Sequence, residues 1–241
     1  MFAIDHAATA LLVKRRYPAV PIVPLLIAVQ AMELAWVVLN YLGVERTTTG
    51  PTVRSVADIH LAYMPYSHSV GTALGAALLA WLVIEKGLRR APLGRAVAIG
   101  IASHLVLDLA THAHDIVLWP GLPAPRLGLG LYDAAPFAAF LVELAYGIVC
   151  WWVYRGGRGL LALVVIGNLT NLSLLAPSVP GPESLLAGRP LLTVSLICVQ
   201  IVVTLILVGV LARPRTPIGG RVTGAHSRVP ALRADTPPGA V

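Results

Sequence analysis

Charge is what this sequence has least of. Asp, Glu, Lys and Arg together make up 12% of its 241 residues, about half the share found in an ordinary soluble domain. Apolar residues make up 57%, and the mean hydropathy is +0.79. This composition excludes an ordinary water-soluble globule and predicts a polytopic integral membrane protein of the all-α class. Acids are the scarcer sign, 11 against 18 Lys and Arg, for a net charge of +7. The basic residues fall in short clusters between apolar runs rather than along one solvated face, so they signal membrane topology and not a nucleic-acid partner. Cysteine is nearly absent: Cys150 and Cys198 each lie in an apolar run without ligand spacing, which excludes a disulfide framework and a Cys-based zinc site. Neither His-Glu-x-x-His nor Gly-x-Ser-x-Gly occurs, so those two hydrolase signatures are excluded as well. The first apolar stretch precedes Lys14, Arg15 and Arg16, the reverse of the charge order in a secretory signal, and no cleaved signal is expected.

What is there is long hydrophobic runs. A membrane crossing needs about 20 mostly apolar residues, and six segments qualify, near 20–42, 66–86, 93–112, 134–154, 159–178 and 190–212. Basic clusters fall at Lys14 to Arg16, at Lys86, Arg89, Arg90 and Arg95, at Arg155 and Arg158, and at Arg213 and Arg215. The positive-inside rule makes those four places cytoplasmic, with N and C termini inside. Residues 2–13 are too few to span, and they predict either a half-helix dipping in from the cytoplasmic side or an amphipathic surface helix. Residues 1–212 thus form a membrane domain. Residues 213–241, with five prolines, five arginines and one acid, predict a disordered basic cytoplasmic tail.

An ionisable group near the bilayer centre costs about 2.5 to 3.5 kcal/mol on insertion scales, so each one needs a partner, a water cavity or a function. The third run contains His104, Asp108 and His112, one every fourth residue. On a helix these form a ridge about 12 Å long, so a single ion takes two neighbours and not easily all three. Imidazole and carboxylate are standard ligands of zinc and related divalent ions. A buried hydrogen-bond network and a proton relay remain as alternatives. Glu33 and His68 fall at the same expected depth as the ridge, in the outward half of the membrane. Glu33 is either a ligand or a neutral, hydrogen-bonded acid. Glu143 is a base, a ligand or an interhelical partner, while Asn168, Asn171 and Gln200 suit interhelical hydrogen bonds. His60 and His114 suit solvated loops. Ser67 and Ser69 flank His68, but on a helix adjacent residues do not face one another, so no Ser-His pair is expected there.

Five stretches in order, "DHAATALLVKRRYP", "AVQAMELAWVVL", "MPYSHSVGTAL", "SHLVLDLATHAHDIVLWPG" and "GLGLYDAAP", resemble the bacterial inner-membrane metal-dependent hydrolases. These are also described as YdjM-like or LexA-binding membrane-associated hydrolases. The resemblance covers roughly residues 3–154 and is most specific at the Ser-His-x-x-x-Asp and Ser-His-Ser segments. That family is distantly similar to the zinc-dependent phospholipase C and single-strand nuclease superfamily. The resemblance implies His6, His68, His104 and Asp108 as metal ligands, with His112 a further member. Glu33 stands where the family tends to carry Asp, which shifts any ion held there by more than an ångström.

The expectation is a membrane-embedded hydrolase of the bacterial cytoplasmic membrane, using a divalent metal, zinc, held among His6, Glu33, His68, His104, Asp108 and His112. Proton handling falls to Asp108, Glu33 or His112. Membrane lipids are its surroundings and a lipid or lipid-linked phosphate its substrate, with Arg126 a clamp for phosphate. An ion- or proton-coupled transporter or channel using the same cluster, and a non-catalytic scaffold, are the alternatives. The sequence sets no oligomeric state.

Overall fold

The computed structural model describes residues 1–122, 124–179 and 181–212, and the basic tail beyond lies outside them. The described chain is mostly helical. Helix α1 (Ala3–Arg16) is followed by α2 (Ile22–Val29) and α3 (Ala31–Tyr41), then a hairpin of β1 (Arg46–Thr49) and β2 (Ile59–Tyr63). Helix α4 (Val70–Trp81) runs on through a π-helical turn, Leu82–Gly87, and is followed by α5 (Ala91–Thr111). A second hairpin joins β3 (Ile116–Val117) to β4 (Arg126–Leu127), and a single turn, α6 (Leu131–Ala134), leads into α7 (Pro136–Tyr154). Helix α8 (Arg158–Leu169), the one-turn α9 (Leu172–Leu175) and α10 (Pro190–Leu211) complete the order. The hairpins modify the all-α expectation. β1 is Arg-Thr-Thr-Thr, whose β-branched side chains favour extended backbone.

Four helices, Val70–Gly87, Ala91–Thr111, Pro136–Tyr154 and Pro190–Leu211, are long and apolar enough to cross a membrane; α2 with α3 makes a fifth if the pair counts as one span, bent by 54°. The expected span at 159–178 is not one helix. Helix α8 has 12 residues, about 18 Å, too short for a hydrocarbon core about 30 Å thick. It stops because the side chains of Thr170 and Asn171 both donate to the Gly167 carbonyl, at 2.7 and 2.9 Å, in place of a continuing backbone ladder.

Helix α1 is enclosed on all sides, with Ala3 to Leu11 buried without exception. Such a helix belongs in a core, and its alanines let α2, α5, α7, α8 and α10 approach it. This removes the surface-helix alternative: Asp5 is fully buried and His6 is 2% exposed. At one end of the bundle Val13, Val20, Leu160, Val208 and Ala212 share a core cluster with Leu93 and Tyr154 packed against it. The Tyr154 hydroxyl donates to the Ala212 carbonyl at 2.6 Å, and Arg95 clamps Glu85 through two nitrogens at 3.0 and 2.9 Å. The basic junctions α1–α2, α4–α5 and α7–α8 and the end of α10 therefore meet at one pole.

Candidate metal centre

Asp108 lies at the centre of the site, on α5 one turn before its end, and is 2% exposed. Its two carboxylate oxygens face imidazoles from three directions. Oδ1 lies 3.2 Å from His6 Nε2 on α1 and 3.8 Å from His112 Nε2. Oδ2 lies 2.9 Å from His104 Nε2 and 3.7 Å from His68 Nε2. Glu33, in the first turn of α3, brings Oε2 to 3.1 Å from His68 Nε2 and 3.6 Å from His104 Nε2. The rings of His6 and His104 stack at 4.0 Å between centroids. The Met1 amino group donates to Asp108 Oδ1 at 2.9 Å and to Thr111 Oγ1 at 2.8 Å.

Specific backbone features hold these side chains. The bend between α2 and α3 leaves the last carbonyls of α2 without helical partners; Val29 O accepts from His104 Nδ1 at 2.9 Å. Gly100, one turn earlier on α5, permits the approach, since a Cβ there would stand 2.9 Å from Ala28 Cβ. At the bend Gln30 turns its side chain to α1 and donates to the Ala3 carbonyl at 2.8 Å. His68 is not helical: α4 begins at Val70 with Ser69 as its N-cap, accepting from Thr72 N. The turn before that cap brings Ser67 Oγ to 2.8 Å from His68 Nδ1, a pairing the helical expectation had ruled out. His112 has also left its helix, with φ −63° and ψ 149°, so the expected ridge ends at Asp108. The backbone of 112–113 is clamped by the strand leading to α6. Gly130 N donates to His112 O at 2.7 Å, and Gly128, at φ +136°, passes so close that a Cβ would overlap Ala113 O.

Hydrogen bonds fix which nitrogen of the His68 and His104 rings faces inward. Ser67 gives its one hydroxyl proton to Glu45 Oε2 at 2.5 Å, so its oxygen accepts from His68 Nδ1–H. A carbonyl can only accept, so His104 Nδ1 carries the proton in its bond to Val29. His112 Nδ1 lies 3.3 Å from Asp115 Oδ1. In their neutral forms these rings aim Nε2 lone pairs at carboxylate lone pairs, an arrangement that either a cation between them or protons on the rings would satisfy. His104 Nε2 and Asp108 Oδ2 are buried without a hydrogen-bond partner. Ligands about 2.0 to 2.2 Å from a tetrahedral ion stand about 3.3 to 3.6 Å from one another. The separations between imidazole and carboxylate atoms run from 2.9 to 3.8 Å, on both sides of that range, with the His104–Asp108 pair the shortest. Three groups, His6–His104–Asp108, Glu33–His68–His104 and His68–Asp108–His112, each bring their ligand atoms within 4.8 Å of one another. These buried His, Asp and Glu groups can hold a metal ion.

All six residues singled out as ligands in the sequence therefore lie together. Sequence reasoning missed Glu45, which is 1% exposed and accepts from the backbone of Tyr66 and Ser67 at 2.8 and 2.9 Å as well as from the Ser67 hydroxyl. No spacing rule links it to a serine 22 positions on. Glu143 is buried next to the site, where it accepts from Tyr132 Oη at 2.5 Å and Phe2 N at 3.2 Å; among the described residues it belongs to none of the metal-holding groups. Asn168 reaches Asp5 Oδ1 at 3.4 Å, and Gln200 donates to Asn171 at 2.8 Å, as interhelical partners. His60 and His114 are exposed. Compared with known proteins, the chain matches no family model, no curated protein and no solved structure.

Proposed function

We propose that this protein is a membrane-embedded hydrolase of the bacterial cytoplasmic membrane that depends on a divalent metal, zinc, and cleaves a lipid or lipid-linked phosphate. The observation that carries the reading is the convergence of four imidazoles on Asp108, two of which also face Glu33, with the rings of His68 and His104 turned by committed Nδ1 partners. The crossing pattern in the proposal counts α2–α3 and α8–α9 as one span each. That gives six crossings with the basic pole in the cytoplasm and the site on the outward side.

His6, His68, His104 and Asp108 would hold the ion, with Glu33 and His112 standing beside it. Bound there, the ion would supply Lewis acidity and a water acidic enough to act near neutral pH. The protein's own groups divide the rest of the work by exposure. Asp108 and His104, at 2% and 1% exposed, are sealed and suited to holding. The side chains of Glu33 and His112, at 22% and 12% exposed, border a cleft of about 1220 Å³ and can exchange protons with a substrate. Glu33 is placed to take the proton of an attacking water, and His112, backed by Asp115, to return one to the leaving oxygen. Arg126 lines the same cleft and can pair with phosphate.

The test is phosphate release from phosphatidic acid by purified protein, before and after chelation and after zinc is restored. The expected result is activity lost and regained with the ion, and lowered about 10²- to 10⁴-fold in Glu33→Gln without loss of bound metal. Activity indifferent to chelation would defeat the proposal. The bend of 54° between α2 and α3, beside Glu33, favours a second reading as an ion or proton pathway. Transporters of that kind use such breaks in pairs, and there is one bent pair among the described residues. Proton flux into protein-loaded vesicles, abolished by Asp108→Asn, would favour this alternative.

A further inference from the structure

The cleft beside Glu33 and His112 does not end at the polar cluster. It continues as a trough between α8 and α10, floored by Leu163 and Gly167 on one side and by Leu196 and Leu207 on the other. Along α10, Leu192, Leu196, Val199, Val203 and Leu207 line it at successive helical turns, and the buried Thr193, Ile201 and Thr204 line it on the side towards the bundle. Leu211 on α10 comes within 3.5 Å of a Cβ built at Gly159 on α8 near the basic pole, and towards the other end Gln200 on α10 donates to Asn171, just beyond α8, at 2.8 Å. From Leu192 to Leu207 is 15 residues, about 22 Å of helix, more than one leaflet of a hydrocarbon core about 30 Å thick.

The shape and chemistry of one continuous cavity define its occupant. At one end stand the imidazoles, carboxylates and Arg126; the remainder is lined mostly by Leu, Ile and Val side chains of α8 and α10, with Thr170, Asn171, Thr193, Gln200 and Thr204 among them. We infer that the trough between α8 and α10 binds the acyl chain of a phosphate-headed lipid, which enters laterally from the outer leaflet and seats its headgroup against Glu33, His112 and Arg126. This rests on the proposed hydrolase reading for the headgroup's fate, but not for the binding of the chain. A water-soluble phosphate ester would leave the apolar trough empty, and a second copy of this chain or another helix seated there would block the path to the cluster.

The test uses full-length protein in bilayer nanodiscs containing phosphatidic acid with a photoactivatable diazirine in its acyl chain. Labelling is expected in peptides 158–171 and 190–211 above that of the lipid-facing α4 surface around Leu74, Leu78 and Leu79, which are all exposed. Excess unlabelled phosphatidic acid should remove it. Val199→Trp and Val203→Trp, at positions 58% and 47% exposed and so tolerant of bulk, should each lower trough labelling about tenfold and leave α4 labelling unchanged. Labelling of the parent protein in the absence of any phosphate release would keep the chain site and sink the hydrolase reading. Equal labelling of α4 and α10, no effect of either tryptophan, or crosslinks from α10 to a second copy would overturn the inference.

Discussion

Asp108 can hold a cation only if the rings around it are turned correctly, and for His68 that task falls to residues that never touch the centre. Glu45 fixes the Ser67 hydroxyl, which in turn accepts from His68 Nδ1. Outer partners of this kind are typically worth 10- to 100-fold in metal affinity. Ser67→Ala should therefore weaken zinc binding by about that factor in a competition titration against a chelator, with secondary structure unchanged. Unchanged affinity would mean that His68 is not a ligand or needs no such orientation. The His104–Asp108 pair was legible in the sequence because it depends only on helical spacing. Glu45 was not, because its role arises from a turn that packs two distant segments. His112 was legible as a member and misjudged in manner: it reaches the site from extended backbone after α5, not from the helical ridge.

At the scale of elements, two close approaches set the position of α5. Gly100 lets it press on α2, and Gly128 lets the 126–130 segment press on its end. In Gly100→Val the added side chain meets Ala28 and Val29, a misfit of about 1 to 3 kcal/mol; thermal unfolding in detergent should show the loss, together with weaker metal binding as His104 is drawn from Val29. In Gly128→Ala the new methyl meets backbone that cannot give way, at a φ of +136°, so a loss of more than about 1 kcal/mol is expected together with displacement of His112. A variant as stable and as metal-loaded as the parent would show that these contacts are not needed. The apolar runs announced α4, α5, α7 and α10 because each is long enough by composition alone. They did not announce the end of α8 at Leu169 or the bend at Gln30, because both follow from side chains that bond backbone groups, Asn171 to Gly167 and Gln30 to Ala3. The two hairpins are short and carry little alternation to find.

For the whole molecule, the burial of α1 turns a bundle of apolar helices into a container, with His6 reaching Asp108 from inside it. The proposed topology places the α4–α5 and α7–α8 junctions and the end of α10 on the cytoplasmic side, and the 113–130 segment on the other. Reporter fusions at those positions should give that pattern, and a cytoplasmic 113–130 segment would reverse the proposed outward-facing site. The cluster itself is tested most directly by the metal content of purified full-length protein beside Asp108→Asn and His104→Ala, each confirmed to be folded by its unfolding transition. The account predicts zinc in the parent and its loss in both variants. A parent without metal, or variants that retain as much as the parent, would contradict it.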